Sequence, residues 1–178
     1  TTQDWPNLTV SFYAASEGSS GGFYRLDDVS VWYEPAGLTD ATECEDPLAP
    51  TPPGGADGPA LMSNGDFSNG TTGWNIVYQM ISQVAAGVFE FYRPSVVPDP
   101  AGVILQPTGQ PLAAGEVLTA QFDLGNSSAV RKRVTVLLHD LDFSDLSACT
   151  FWLPPGQPLS TYMMRSFATE AWANATIS

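Results

Sequence analysis

Residues Thr1-Thr-Gln-Asp-Trp-Pro-Asn-Leu-Thr-Val-Ser11 return near the other end of the chain as Ala168-Thr-Glu-Ala-Trp-Ala-Asn-Ala-Thr-Ile-Ser178. Five of the eleven positions are identical, including Trp5/Trp172 and Asn7/Asn174, and Gln3/Glu170 and Val10/Ile177 are near-equivalents, at an offset of 172 − 5 = 167 residues. An internal repeat constrains architecture before any local propensity does. The expectation is a chain out of register with its own repeat: the tail of one domain, a linker, and most of the next domain. The continuation of Ser178 is then expected to resemble Phe12 to Tyr33.

Between the two copies, short apolar runs are separated by turn residues at nearly even spacing; 15 prolines and 16 glycines supply much of the punctuation. That pattern predicts an all-β sandwich or barrel of short strands, with no long stretch of helical period. Strands are predicted at Leu8 to Ala15, Phe23 to Tyr33, 74–84, 87–92, 102–106, 116–124, 131–139, 147–153, 160–167 and 171–178. In the second, Val29, Val31 and Tyr33 share one face. In 116–124, Leu118, Ala120, Phe122 and Leu124 alternate with Val117, Thr119, Gln121 and Asp123, as in a strand with one buried face.

From Glu34 to Pro59 the chain changes character, with six prolines and the acidic stretch Asp40-Ala-Thr-Glu-Cys-Glu-Asp46. This reads as a stiff, extended, solvated linker. The predicted organisation is therefore 1–34 as closing strands of a preceding domain, or as strands donated to a neighbour, then 35–60 as linker. Residues 61–178 form a domain that lacks its closing strands. At 178 residues there is room for one sandwich-sized core, and not comfortably for two.

Nineteen acidic against six basic side chains give a formal net charge of −13. Such a polyanion repels nucleic acid and anionic lipid and leaves divalent cations as plausible partners. No apolar run approaches the length of a membrane span, and the start at Thr1 carries no signal segment, so an export signal is expected to have been removed or to lie outside. Four of six asparagines open Asn-x-Ser/Thr triplets, at Asn7, Asn69, Asn126 and Asn174, which predicts a glycosylated, exported surface. The two cysteines, Cys44 and Cys149, suggest one disulfide, and a bond between them would clamp linker to domain.

Two segments resemble a known family. Asn64-Gly-Asp-Phe-Ser-Asn-Gly-Thr-Thr-Gly-Trp74 is similar to the opening strand and turn of the galactose-binding-like jelly rolls, especially the carbohydrate-binding modules among them. Phe23-Tyr-Arg-Leu-Asp-Asp-Val-Ser-Val31 resembles the closing strand of the same family, and the reversed order of the two is what the repeat offset predicts. The resemblance implies an antiparallel jelly-roll sandwich, incomplete within this chain and completed by strands of an adjacent repeat or subunit. It also implies a structural calcium ion between first and last strands, with Asp66 as one ligand and Asp28 or Asp27 as the other. Oxygen-only ligands suit that hard cation; the competing reading has Asp66 accepting turn hydrogen bonds and Asp27 and Asp28 solvated.

An enzyme is not expected, nor an organic cofactor. His139 is the sole histidine, and its strand parity with Arg133 and Thr135 points it outward. With Asp140, Asp142 and Asp145 it forms the one cluster able to hold a metal or a base, and no nucleophile elbow, phosphate loop or second histidine accompanies it. Carbohydrate binding needs exposed aromatic faces. Of Trp74, Tyr78, Tyr92, Trp152, Tyr162 and Trp172, about half must fill the core, and Tyr78 and Trp152 are the candidate platforms. Arg131-Lys132-Arg133 holds half of the basic residues, and is either a solvated strand start or a dock for a neighbour's acidic linker at Asp40 to Asp46. The expected function is a structural repeat of an extracellular, cell-surface fibre or stalk, assembled with copies of itself or adjacent repeats. The second expectation is a polysaccharide-binding module of a larger secreted glycosidase or adhesin.

Overall fold

The computed structural model describes residues 7–14, 22–34, 43–46, 60–77, 80–94 and 102–178. These residues are all-β, with no helix among them. The strands are β1 (Asn7–Ala14), β2 (Tyr24–Glu34), β3 (Glu43–Glu45), β4 (Asn75–Val77), β5 (Ile81–Ala85) and β6 (Val88–Tyr92). They continue as β7 (Gly102–Pro107), β8 (Val117–Asn126), β9 (Lys132–Asp140), β10 (Leu146–Leu153), β11 (Ser160–Phe167) and β12 (Asn174–Ile177).

A six-stranded sheet runs β3-β11-β8-β2-β6-β5 and a four-stranded sheet runs β1-β12-β9-β10, with a β4-β7 ribbon beside β1. The two sheets share one sandwich-like core, and alternation along the strands decides which side chains enter it. Leu118, Ala120, Phe122 and Leu124 of β8 are all fully buried, as their spacing predicts. Facing them across the core, β9 contributes Val134, Val136 and Leu138, and β10 contributes Phe151 and Leu153. Phe122 meets Phe12 and Phe151 edge-on at 5.2 and 5.8 Å between ring centroids.

β2 lies between β8 and β6 and carries a bulge between Asp27 and Ser30. Asp28 sits there with φ +48°, the extra residue that shifts the strand's phase. Tyr24 and Leu26 face the core before it, and Val29 and Val31 after it, although 26 and 29 are of opposite parity. The side chain of Tyr33 lies outside the described residues. The places predicted to be filled from a neighbour are thus filled here by strands of the chain's own first 34 residues.

The repeated segments come together. β1 and β12 pair in parallel with Asn7 opposite Asn174, Leu8 opposite Ala175, Thr9 opposite Thr176 and Val10 opposite Ile177. Over these four positions each repeat equivalent therefore lies beside its own copy.

Two predicted boundaries change. The single strand predicted over 74–84 is two, β4 and β5. Within the predicted solvated linker 35–60, Glu43–Glu45 is instead a strand, paired with β11 at the edge of the six-stranded sheet. The reason is covalent: Cys44 and Cys149 form a disulfide, with 5.7 Å between their Cα atoms, so an otherwise unremarkable acidic tripeptide is held against β11. The rest of the linker, 35–42 and 47–59, lies outside the described residues.

Candidate functional site: an acidic clasp

The N-G-D-F opener and the D-D-V closer lie against each other. Val29 donates its amide to the carbonyl of Gly65 at 3.1 Å, and Leu61 donates to Val31 at 2.9 Å. A Cβ on residue 65 would stand 1.9 Å from the Val29 carbonyl oxygen, so glycine is required by close backbone approach.

The rest of the opener builds the turn that presents this glycine. Asn64 donates through Nδ2 to the carbonyls of Gly70 and Thr72 and accepts the amide of Asn69 on Oδ1. The Trp74 indole N–H returns to the Asn64 carbonyl at 3.0 Å. Phe67 is clamped between the rings of Trp74 and Phe89, each 5.2 Å away.

Carboxylates collect at the clasp. Asp28, Val29 and Ser30 from the bulge, Gly65 and Asp66 from the opener, and Gln121 from β8 line one open groove. Asp27 stands directly opposite Asp123 across the β2–β8 pair, a like-charge pairing that destabilises a sheet. Burial raises the Asp27 pKa above the usual carboxylate value, and the charges of Asp28, Asp123 and Asp66 push it the same way, against the Asp28 amide hydrogen bond. Asp66 moves the other way, because both the amide and the hydroxyl of Ser68 donate to its Oδ1. The turn hydrogen bonds and the groove position of Asp66 thus coexist.

Asp66 and Asp28 line one groove, and Asp27, the residue before Asp28, is not among its lining residues. Among the described residues no group of three or more His, Cys, Asp or Glu side chains stands close enough to hold a metal ion in common. The donors available are oxygens only: two carboxylates, the Gln121 amide and backbone carbonyls. Their chemistry fits a hard cation that keeps part of its water, and does not fit a closed cage.

The other predicted sites divide. His139 lies on the outer face that parity predicts, yet it is fully buried, which corrects the solvent exposure that face implied. Its Nδ1 meets the Asp140 carbonyl at 2.5 Å, its Nε2 meets the hydroxyls of Ser11 and Ser178, and Phe143 stacks flat on the ring at 3.9 Å. The Asp140–Asp145 turn folds back over the outer face of the sheet, and parity cannot report such a cover. Burial drops the His139 pKa to about 3 and lifts that of Asp140 to about 7, the latter helped by Asp142 and Glu170. Asp142 and Asp145 accept amide hydrogen bonds from Ser144 and Thr169 and shape loops.

Asn126 is also a correction. Its amide is fully buried, and Nδ2 donates to the carbonyls of Val130, Leu153 and Pro154, so the folded chain offers no acceptor nitrogen there. Asn69 is exposed on the opener turn, Asn174 is half-buried with Oδ1 on the Gly109 amide, and the side chain of Asn7 lies outside the described residues.

Of the candidate sugar platforms, Tyr78 lies outside the described residues. Trp152 is 44% exposed, with the Arg131 guanidinium 4.2 Å above its ring and that of Arg133 at 5.7 Å. Trp74, Tyr162 and Trp172 are core. Lys132 corrects the solvated strand start: it is fully buried, its ammonium lies 4.7 Å over the Tyr24 ring, and burial lowers its pKa.

Asp123, Gln121 and Gly65 were not anticipated as clasp residues. One signal was present, since the slip from Tyr24/Leu26 to Val29/Val31 marks a bulge, and bulges re-aim side chains. No family model matches the chain, and no curated protein or solved structure matches it.

Proposed function

We propose that the protein is a structural repeat of an extracellular, glycosylated fibre or stalk, a jelly-roll unit joined head to tail to copies of itself by β-strand complementation. The observation that carries this reading is the position of β2. It comes from the segment that precedes the linker, yet it runs between β8 and β6 and puts Tyr24, Leu26, Val29 and Val31 into the shared core. In the assembly, the leading segment of one unit would take in a neighbour the kind of place that the chain's own leading strands occupy here. The Cys44–Cys149 disulfide supports an oxidising compartment, and exposed Asn69 supports a glycan on the opener turn.

Calcium at the clasp belongs to this reading, with Asp28 and Asp66 as its carboxylates. A bound cation would neutralise the Asp27/Asp123 opposition and tie opener to closer where a strand from a neighbour enters.

Negative-stain microscopy of the full chain at rising concentration should show linear assemblies that shorten with EDTA, and their midpoint of thermal unfolding should fall with the chelator. Dispersed monomers at every concentration overturn the fibre; unfolding indifferent to EDTA removes the calcium. Exposed Trp152 favours the second reading, a polysaccharide-binding module. A sugar there must displace Arg131 from the ring, and binding to a glycan array by dispersed monomer would select it.

A further inference from the structure

Leu138 and His139 of β9 are claimed three times. β10 takes one edge, with Ser147 opposite Leu138 and Leu146 opposite His139. On the other edge β1 sets Val10 opposite Leu138 and Thr9 opposite His139, and β12 sets Ile177 and Thr176 opposite the same two residues. A strand has two edges, and each backbone N–H or C=O on an edge serves one partner well. The second edge is therefore one slot with two claimants.

The claimants are the repeated sequence. Thr9-Val10-Ser11 and Thr176-Ile177-Ser178 stand at the 167-residue offset, and both reach the same atoms. Ser11 Oγ lies 2.7 Å and Ser178 Oγ 2.6 Å from His139 Nε2. A ring nitrogen carries one proton or one lone pair, so it serves one hydroxyl at a time. Leu137 repeats the pattern, since Ser11 is its register partner while its amide donates to the Ser178 carbonyl at 3.1 Å. Val10 and Ile177 are both fully buried.

We propose that this edge of β9 is an exchangeable slot, held either by the chain's own β12 or by β1, and that the β1 it accepts in the assembly is that of a second copy. β1 covers the edge from Val134 to His139, whereas β12 covers Leu138 to Asp140, so β1 is the longer occupant and β12 the placeholder. A chain whose β12 holds the slot displaces Val10 of β1 from its place opposite Leu138. That apolar side chain fits the same slot in another copy. This inference rests on the fibre reading and deepens it by naming where strands are exchanged and what they displace.

Engineered cysteine pairs in the full chain test it, with the native disulfide intact. One variant carries Val10→Cys with Leu138→Cys, the other Ile177→Cys with Leu138→Cys; after mild oxidation, peptide mapping reads the cross-link in each. Both cross-links should form. Adding Ile177→Asp to the first variant should raise its ratio of cross-linked to reduced pair more than about tenfold, because an unpaired buried carboxylate evicts β12. Val10→Asp should do the same for the second. Chains with Val10→Cys alone, mixed with chains with Leu138→Cys alone, should give disulfide-linked pairs that increase with concentration.

A Val10 cross-link with no Ile177 cross-link in any background overturns the competition, even where wild-type fibres are seen. Two cis cross-links without any mixed pair overturn the second copy as occupant. Exchange in cross-linking without fibres in the microscope defeats the fibre reading and leaves the shared slot standing.

Discussion

β1 and β2 come from the same leading segment and are held in opposite ways. β2 has one place: flanked by β8 and β6, phased by a bulge at Asp28, and hooked to the opener through Gly65. β1 has a shared place, where its repeat equivalent β12 reaches the same residues of β9 and the same imidazole nitrogen. Uniqueness of a strand's position follows from what else in the chain can make the same contacts. Nothing among the described residues duplicates β2, and β12 duplicates the first half of β1.

The largest expected effect concerns the one covalent tie between the sheets, which joins β3 at the edge of the six-stranded sheet to β10 beside β9. Closing a loop of separation 105 should contribute about 4 to 5 kcal/mol. Paired Cys44→Ser and Cys149→Ser substitutions should lose that much in denaturant unfolding, while leaving the β1/β12 cross-link ratio unchanged, because β10 holds the opposite edge of β9. A changed ratio would mean that the two regions are not independent.

Next, Leu26→Ala in β2 should lose about 2 to 5 kcal/mol, the range for a buried leucine whose cavity nothing fills. Val10→Ala in β1 should lose well under half of the Leu26 value, because Ile177 already reaches Leu138 and takes over. Equal losses after allowing for side-chain size would break the comparison.

A smaller effect is expected with pH. His139 is held neutral, with a folded pKa of about 3 against an ordinary 6.5, so the fold loses stability as pH falls from about 6.5 toward 3. Asp140 has the opposite sign: its folded pKa of about 7 lies above its ordinary 3.8, so it favours the fold increasingly as pH falls through that window. His139→Gln should remove the acid-side loss and leave stability rising from pH 7 toward pH 4. Urea midpoints across that range check it, and an unchanged profile would show that the imidazole is not held neutral. The smallest effect should be at Trp152: Trp152→Ala should change stability by less than about 0.5 kcal/mol, since it removes an exposed ring rather than core.

The legibility of these regions from sequence differs for physical reasons. Alternation marked the buried face of β8 residue by residue, because strand period alone decides which side chains of a two-faced sheet turn inward. It failed at His139, where parity was right about the face and could not know that the Asp140–Asp145 turn covers it. At Lys132 and Asn126 the alternation itself pointed inward, with Val134 and Val136 and with Phe122 and Leu124 respectively, and it was residue chemistry, a charge and a sequon, that suggested solvent. The Asn-x-Ser triplet at Asn126 is a tight turn whose amide holds three carbonyls, chemistry identical in sequence to an open glycan acceptor. The clasp was half legible: opener and closer motifs named Asp66, Asp27 and Asp28, while Asp123 and Gln121 entered only through the register of β8 against β2.

What the sequence determined by itself was most of the strands, the all-β class and the existence of two equivalent ends, because side-chain period, turn chemistry and repetition are local properties of a chain. Only the tertiary structure decided that those ends meet on one edge of β9. Which residues share a slot depends on pairings between segments far apart in the chain, β1 with β9 and β12 with β9. No local pattern carries that information, and here it turns a repeated eleven-residue stretch into two occupants of a single place.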